Sequence, residues 1–372
     1  MSNAKSKKKD NTVKFFDYTM VGIILLLMAF GLIMLYSASS YTAAMRHGSA
    51  AYFVKKQIIY SMLGLLIMFV VSKWDYHFFV KISPALYFVA IILCIVVLFS
   101  EQRNHSARWI SLGPINVQPS EVAKIVCILI NALIISRYTF RNRRAEDRLQ
   151  TLGKAMVPTV IISAIVASQN LSTALIIMMV SMSMYFIAYP KSKIFIVLIG
   201  VIGALGIIFL SLASYRSSRL KVWRHPENYK SGYQTMQGLY AIGSGGTFGK
   251  GLGNSLQKKF VPEAQNDMIF TLICEELGLV GAILIIIVFI LLLWRMYDIA
   301  CRAKDKVGSF LVIGVMAHIA IQVILNISVA TNSMPNTGVT LPFISYGGSS
   351  LWMLMFEMGA VLNVSKTANF DD

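Results

Sequence analysis

Residues 268–294 read MIFTLICEELGLVGAILIIIVFILLLW, and the only charges in the run are Glu275 and Glu276. Such a run is long enough for one helix to cross the roughly 30 Å hydrocarbon core of a bilayer. Further apolar runs lie at 18–35, 57–72, 82–100, 119–136, 155–167, 171–189, 193–213, 308–329 and 349–364. Together they predict an all-α polytopic membrane protein of about ten transmembrane helices, and an even number places both termini on one side. The run at 155–167 spans only if it continues toward Asn170 or tilts in a thin bilayer. The first run follows a basic stretch as a signal peptide would, but more spans follow it, so it reads as an uncleaved first span.

Composition agrees. Of 372 residues, 56% are apolar and 14% charged, against about 25% charged in an ordinary soluble domain, and the mean hydropathy is +0.65. A soluble globular protein is excluded. The net charge of +17 comes from 34 Lys and Arg against 17 Asp and Glu. These basic residues lie between apolar runs and form no single patch, so they set topology and meet anionic head groups or phosphate-bearing substrates; nucleic acid is not the expected partner. Lys5, Lys7, Lys8, Lys9 and Lys14, then Arg137, Arg141, Arg143, Arg144, Arg148 and Lys154, then Arg295, Arg302, Lys304 and Lys306 all fall on the N-terminal side. That side is therefore cytoplasmic. The chain divides into a basic cytoplasmic tail (1–14), a single transmembrane domain (15–366) and a short cytoplasmic tail (367–372). Cys94, Cys127, Cys274 and Cys301 sit in or at the end of apolar runs without metal-ligand spacing and read as small packing residues. No HExxH, Walker A, GxSxG or dinucleotide fingerprint is present.

The outward segment 214–267, between spans seven and eight, is far longer than a connection needs. It carries Arg216, Arg219, Lys221, Arg224, Lys230, Lys250, Lys258 and Lys259, and long loops translocate regardless of charge. Its Gly and aromatic residues at 232–234 and 243–249 argue for an ordered, functional segment over a solvated linker.

Several residues can carry chemistry. Pro119 opens the fourth span at a first helical turn. Glu121 and Lys124 are three apart on one face, as a structural ion pair or as the charged wall of a cavity. Asp267 is the last polar residue before the run at 268–294: either a helix N-cap or a carboxylate at head-group level suited to act as a general base on a lipid-linked phosphorylated substrate. Glu275 and Glu276, deeper in that run, require a partner or a proton on at least one of them. Gln322 and Asn326, at i and i+4, are expected to make interhelical hydrogen bonds. His318 reads as a packed, hydrogen-bonded residue and not a ligand. The uncharged segment 336–350, NTGVTLPFISYGGSS, is expected to form a re-entrant or tightly packed loop near Asp267. Its backbone N–H groups, those around Ser345 and Gly347 among them, either hold phosphate or simply turn the chain.

Taken in order, Arg108-Trp109-Ile110, Gly113-Pro114, Gln118-Pro119-Ser120-Glu121 through Lys124, Gly232-Tyr233-Gln234, Gly251-Leu252-Gly253-Asn254-Ser255, Pro262-Glu263-Ala264 through Asp267, Glu275-Glu276-Leu277-Gly278 and Leu341-Pro342-Phe343-Ile344-Ser345-Tyr346-Gly347-Gly348-Ser349 resemble the SEDS family (shape, elongation, division and sporulation) over nearly the whole chain. The motifs at 251–255 and 262–264 are closer to its division and sporulation branch, FtsW and SpoVE, than to the RodA elongation branch. One position departs. Where the family pattern leads us to expect an acidic Pro-Asp-Leu-Gly-Thr type motif, this chain has Gln169-Asn170-Leu171-Ser172-Thr173.

The resemblance implies a peptidoglycan glycosyltransferase in the cytoplasmic membrane of a bacterium that polymerises lipid II at its outer face during division or sporulation. It implies Asp267 as the essential acid, with Arg108, Glu121, Lys124, Arg216, Arg219, Ser345 and Gly347 toward the substrate. No tightly bound cofactor is implied; a divalent cation, Mg or Mn, remains open. The implied partners are a class B penicillin-binding transpeptidase and other division or sporulation membrane proteins. A lipid II flippase and a non-enzymatic division scaffold are the competing readings. The concentration of polar groups at the outer interface favours catalysis, since a transport path needs them at mid-membrane as well.

Overall fold

A computed structural model describes residues 16–99, 108–112, 115–139, 145–189 and 221–368. Its helices are α1 (Tyr18–His47), α2 (Tyr52–Lys73), α3 (Tyr76–Val96), α4 (Pro119–Thr139), α5 (Ala145–Ala167), α6 (Leu171–Ala188), α7 (Tyr233–Gly245), α8 (Ile269–Arg302), α9 (Lys306–Ala330) and α10 (Ser349–Ser365). Strands β1 (Ile110–Leu112) and β2 (Ile115–Val117) form an antiparallel hairpin with Ile110 opposite Val117, leading into α4.

Among the described residues, seven helices are long and apolar enough to cross a membrane: α1, α2, α3, α4, α6, α8 and α9. The expected span at 155–167 is the apolar end of α5, which begins at Ala145, and the one at 349–364 is α10, of 17 residues. The span at 193–213 lies outside the described residues, as do the tail 1–14, most of 367–372, and Arg216 and Arg219. Helices outrun the apolar runs: α1 continues to His47 and α8 to Arg302. Hydropathy marks only the part solvated by lipid, whereas backbone hydrogen bonding continues into the polar interface.

Asp17, Asp75, Asn170 and Asp305 cap α1, α3, α6 and α9 by accepting from the N–H groups of Met20, His77, Thr173 and Gly308. Asn170 thus stands where an acid was expected and still caps, because an amide oxygen accepts as a carboxylate does. Both ends of the described chain lie at one end of the bundle. Arg295 meets Asp17 at 2.7 Å, Lys366 Nζ donates to Ser72 O at 2.7 Å, and Asn363 Oδ1 accepts from Tyr76 N at 3.0 Å. The core runs through α1, α2, α4, α6, α8, α9 and α10, while apolar side chains such as Leu26, Ile59, Phe88, Ile283 and Trp294 face outward, as a lipid-solvated surface requires.

At the opposite end the chain from Val339 to Gly348 folds back into the bundle. Leu341, Phe343, Ile344 and Ser345 are buried. Gly31, near the middle of α1, lies so close to Ile344 Cα and Phe343 O that a Cβ would meet them at 2.7 and 2.9 Å. Glycine there lets non-helical backbone reach mid-bundle, where protein covers it. The expected re-entrant loop is present.

Candidate functional site

Asp267 is the residue before the N-cap of α8, which is Met268 and carries no side-chain cap bond. The N-cap reading is therefore corrected: the Asp267 carboxylate is not spent on the helix end. It is partly buried and accepts from Gln234 Nε2 at 3.3 Å. Among the described residues no Lys, Arg or His pairs with it. Burial, chiefly, and the nearby charge of Glu263 push its pKa up to about 6, against the lowering effect of its own backbone N–H and of Gln234.

The segment 221–267 positions Gln234. In α7, Gly238, Ala241 and Gly245 form a buried small-residue face; a Cβ on Gly238 would lie 3.2 Å from Thr271 Cγ2, and one on Gly245 would run into the Cys274 backbone. This close packing along α8 sets Gln234, in the first turn of α7, over Asp267. The helical path of α8 breaks at Gly278 (φ 66°, ψ −164°), and the glycine-rich segment satisfies the freed backbone groups. Lys250 N and Gly251 N donate to Glu275 O and Glu276 O, and Leu279 N and Val280 N donate to Gly246 O and Thr247 O, all at 2.9–3.1 Å. Glu275, fully buried, pairs with Lys250 Nζ at 2.8 Å and accepts from Ser255 Oγ and Leu256 N. Glu276 accepts from Ser37 Oγ on α1, and its other oxygen has no partner among the described residues. The acidic pair thus pins the loop on one side and α1 on the other.

Glu121 and Lys124 form the expected ion pair at 2.9 Å, with both side chains largely buried. Glu121 also lines a small cavity with His318, Gln322, Thr340, Ser345, Gly347 and Ser350. The structure therefore brings Glu121, Ser345 and Gly347 to one place. Gln322 and Asn326 are corrected from interhelical partners to loop anchors: Gln322 Nε2 donates to Thr340 O at 3.1 Å, and Asn326 Nδ2 donates to Asp267 O at 2.8 Å and to Val339 O at 2.7 Å. Tyr346 N donates to Gln265 O at 2.9 Å. These bonds tie the segment holding Asp267 to the re-entrant loop. Arg108 is not in this group. It donates to Gln169 O at 3.2 Å and lines a separate cavity with Cys94, Ser120 and Asn170.

Sequence reasoning missed Glu357, which contacts His318 Nδ1 at 2.9 Å within the bundle. A lone acid in the run 349–364 was the available signal. His318 is packed and hydrogen-bonded as expected. Among the described residues no group of three or more His, Cys, Asp or Glu side chains is assembled to hold a metal ion.

The model of the FtsW/RodA/SpoVE family, described as "Cell cycle protein", matches residues 17–369. Stage V sporulation protein E of Bacillus subtilis is 38% identical over 366 residues, 95% of this chain and 98% of that protein. A probable peptidoglycan glycosyltransferase FtsW of Trichlorobacter lovleyi is 35% identical, covering 94% and 93%. Among solved structures, a chain from work on the structural coordination of polymerization and crosslinking by a peptidoglycan synthase complex superposes with a TM-score of 0.79 at 23% identity, covering 96% of this chain and 99% of that one. Thermus thermophilus RodA superposes at 0.70 with 24% identity, covering 96% and 98%. The fold is the one these structures share, and the chain belongs to the FtsW/RodA/SpoVE family.

Proposed function

We propose that this member of the FtsW/RodA/SpoVE family is a peptidoglycan glycosyltransferase that polymerises lipid II at the outer face of the bacterial cytoplasmic membrane, with Asp267 as general base. Its relatives named as probable peptidoglycan glycosyltransferases support the activity. The observation that carries the assignment of Asp267 is its setting: a partly buried carboxylate with its pKa near 6, free of the helix cap and of any described cation. Such a group is largely deprotonated at neutral pH yet basic enough to take a proton in the transition state.

In the reaction, the acceptor 4-hydroxyl gives its proton to the Asp267 carboxylate as its oxygen bonds to the donor anomeric carbon. The bond from that carbon to the pyrophosphate oxygen breaks, and lipid pyrophosphate leaves with the electron pair and inversion at carbon. Gln234 holds the carboxylate. Glu121, with Lys124 paired to it, and Ser345 and Gly347 of the cavity wall are the groups proposed to face the substrate, and Arg108, from its separate cavity, with Arg216 and Arg219 are the further basic groups proposed to stabilise charge on the leaving group. Titration of Mg or Mn against polymer formation tests a cation requirement. A class B penicillin-binding transpeptidase is the proposed partner, by analogy with the peptidoglycan synthase complex.

One observation favours a second reading. The His318 and Glu357 pair places ionisable groups in the middle of α9 and α10, where a transport path needs polar groups. Polymer formation from labelled lipid II by the purified protein with its cognate transpeptidase, in wild type and Asp267→Asn at matched folding, tests the first reading. Polymer from wild type alone supports it. Equal polymer from both removes Asp267 as base, and lipid II translocation without polymer supports transport.

A further inference from the structure

Halfway along α9, His318 turns Nδ1 to Glu357 of α10, at 2.9 and 3.1 Å from the two carboxylate oxygens. The side chains are 4% and 2% exposed. The other ring nitrogen, Nε2, is buried without a partner among the described residues, and His318 lines the small cavity shared with Glu121 and Ser345. His318 therefore presents to the cavity a buried ring nitrogen without a partner among the described residues, and the tautomer with its proton on Nε2 offers an N–H donor there.

The start of α10 supplies a second set of donors. Its N-cap, Gly348, offers no side-chain cap, and no acidic residue lies in its first turn. Trp352 N is the first to close a bond back, to Gly348 O at 3.2 Å. The N–H groups ahead of it have no helical acceptor, and Ser350 and Leu351, which carry two of them, line the same cavity. An uncapped helix N-terminus and a buried, unpartnered ring nitrogen thus converge on one space. Glu121, the carboxylate on that wall, is already matched by Lys124.

We propose that this cavity is an anion site for a phosphate group, whose oxygens are received by His318 Nε2–H and by the N-terminus of α10, with Glu357 as the positioning residue that sets the ring. Phosphate chemistry can come from a lipid-linked pyrophosphate or from free pyrophosphate. The lipid-linked source deepens the glycosyltransferase reading and rests on it; the anion site itself rests on the geometry.

The test measures binding of undecaprenyl pyrophosphate, undecaprenol and inorganic pyrophosphate to the full-length purified chain in nanodiscs, for wild type, His318→Gln and Glu357→Gln. The Glu357→Gln change keeps shape and packing, but its amide oxygen takes the Nδ1–H, which leaves a neutral Nε2 as an acceptor that opposes phosphate. We expect both variants to weaken undecaprenyl pyrophosphate binding about tenfold or more while undecaprenol binding stays unchanged. Competition by inorganic pyrophosphate in wild type alone identifies the free anion as a sufficient ligand; its failure to compete assigns the site to the lipid-linked form. Unchanged undecaprenyl pyrophosphate affinity in Glu357→Gln, or an equal loss for undecaprenol, overturns the proposal. Polymer formation by wild type with its cognate transpeptidase is followed in parallel: phosphate binding that depends on His318 without polymer overturns the polymerase reading and keeps the site, and polymer with unchanged binding in both variants does the reverse.

Discussion

Asn326 on α9 donates to the carbonyl of Asp267 at 2.8 Å, and the same amide nitrogen donates to Val339 O at 2.7 Å. One buried side chain thereby fastens the segment carrying the proposed base to the first residues of the re-entrant loop. Asn326→Ala removes both bonds and leaves two carbonyls unsatisfied, which costs about 2–3 kcal/mol. We expect a lower Tm in detergent and a fall in kcat/KM, because the base and the loop that lines the cavity lose a shared fastening.

Asp267→Asn is expected to abolish polymer formation and to stabilise the protein. The folded carboxyl titrates near 6, above its ordinary value of about 3.9. The folded state thus favours the proton, stability falls as pH rises between the two values, and the full penalty is present at neutral pH. Relieving it is worth on the order of 1–3 kcal/mol. Denaturation at pH 7.5 should show Asp267→Asn more stable than wild type, with the gap closing toward pH 4. In wild type, polymerisation rate should fall as pH drops through about 6, since the base must be deprotonated.

Lys124→Ala leaves Glu121 without its cation at a largely buried position. We expect polymer formation to fall at least tenfold in protein that remains folded and inserted, with Lys124→Arg recovering part of it. An unchanged rate in Lys124→Ala ends the assignment of this pair to the substrate cavity.

The contact of Lys250 with the fully buried Glu275 predicts a strong coupling. Lys250→Ala strands a buried carboxylate that keeps only its hydroxyl and backbone donors, at a cost of about 3 kcal/mol. Glu275→Gln placed on top of it should restore much of that stability. A double-mutant cycle in Tm and denaturant midpoint reads the coupling.

Gly278→Ala should loosen the same loop from the other side. A Cβ at φ +66° would run into the backbone of Thr247 and Gly249, so the bonds from Lys250 N and Gly251 N to the broken turn of α8 must lengthen. Faster hydrogen exchange at those two amides, with a loss of about 2 kcal/mol or more, is the expected result.

The membrane class, the seven described apolar spans and the start of α4 at Pro119 were legible because lipid imposes a one-dimensional constraint: a spanning stretch must be predominantly apolar along its length. Asp267, and Glu121 with Lys124, stood out for the same reason, as ionisable groups at or inside an apolar boundary. What tertiary structure decided was which of these groups share a space. That Asp267 escapes capping, that Asn326 and Gln322 reach loop backbone and not another helix, that Arg108 faces a different cavity, and that Glu357 meets His318 all depend on how helices distant in sequence approach one another. Those approaches are set at single small residues such as Gly31, Gly238 and Gly245, whose missing side chains admit a neighbouring backbone. Hydropathy registers the apolar length of a segment and is blind to which face of it meets which partner, so the bilayer was written in the sequence and the site was made by packing.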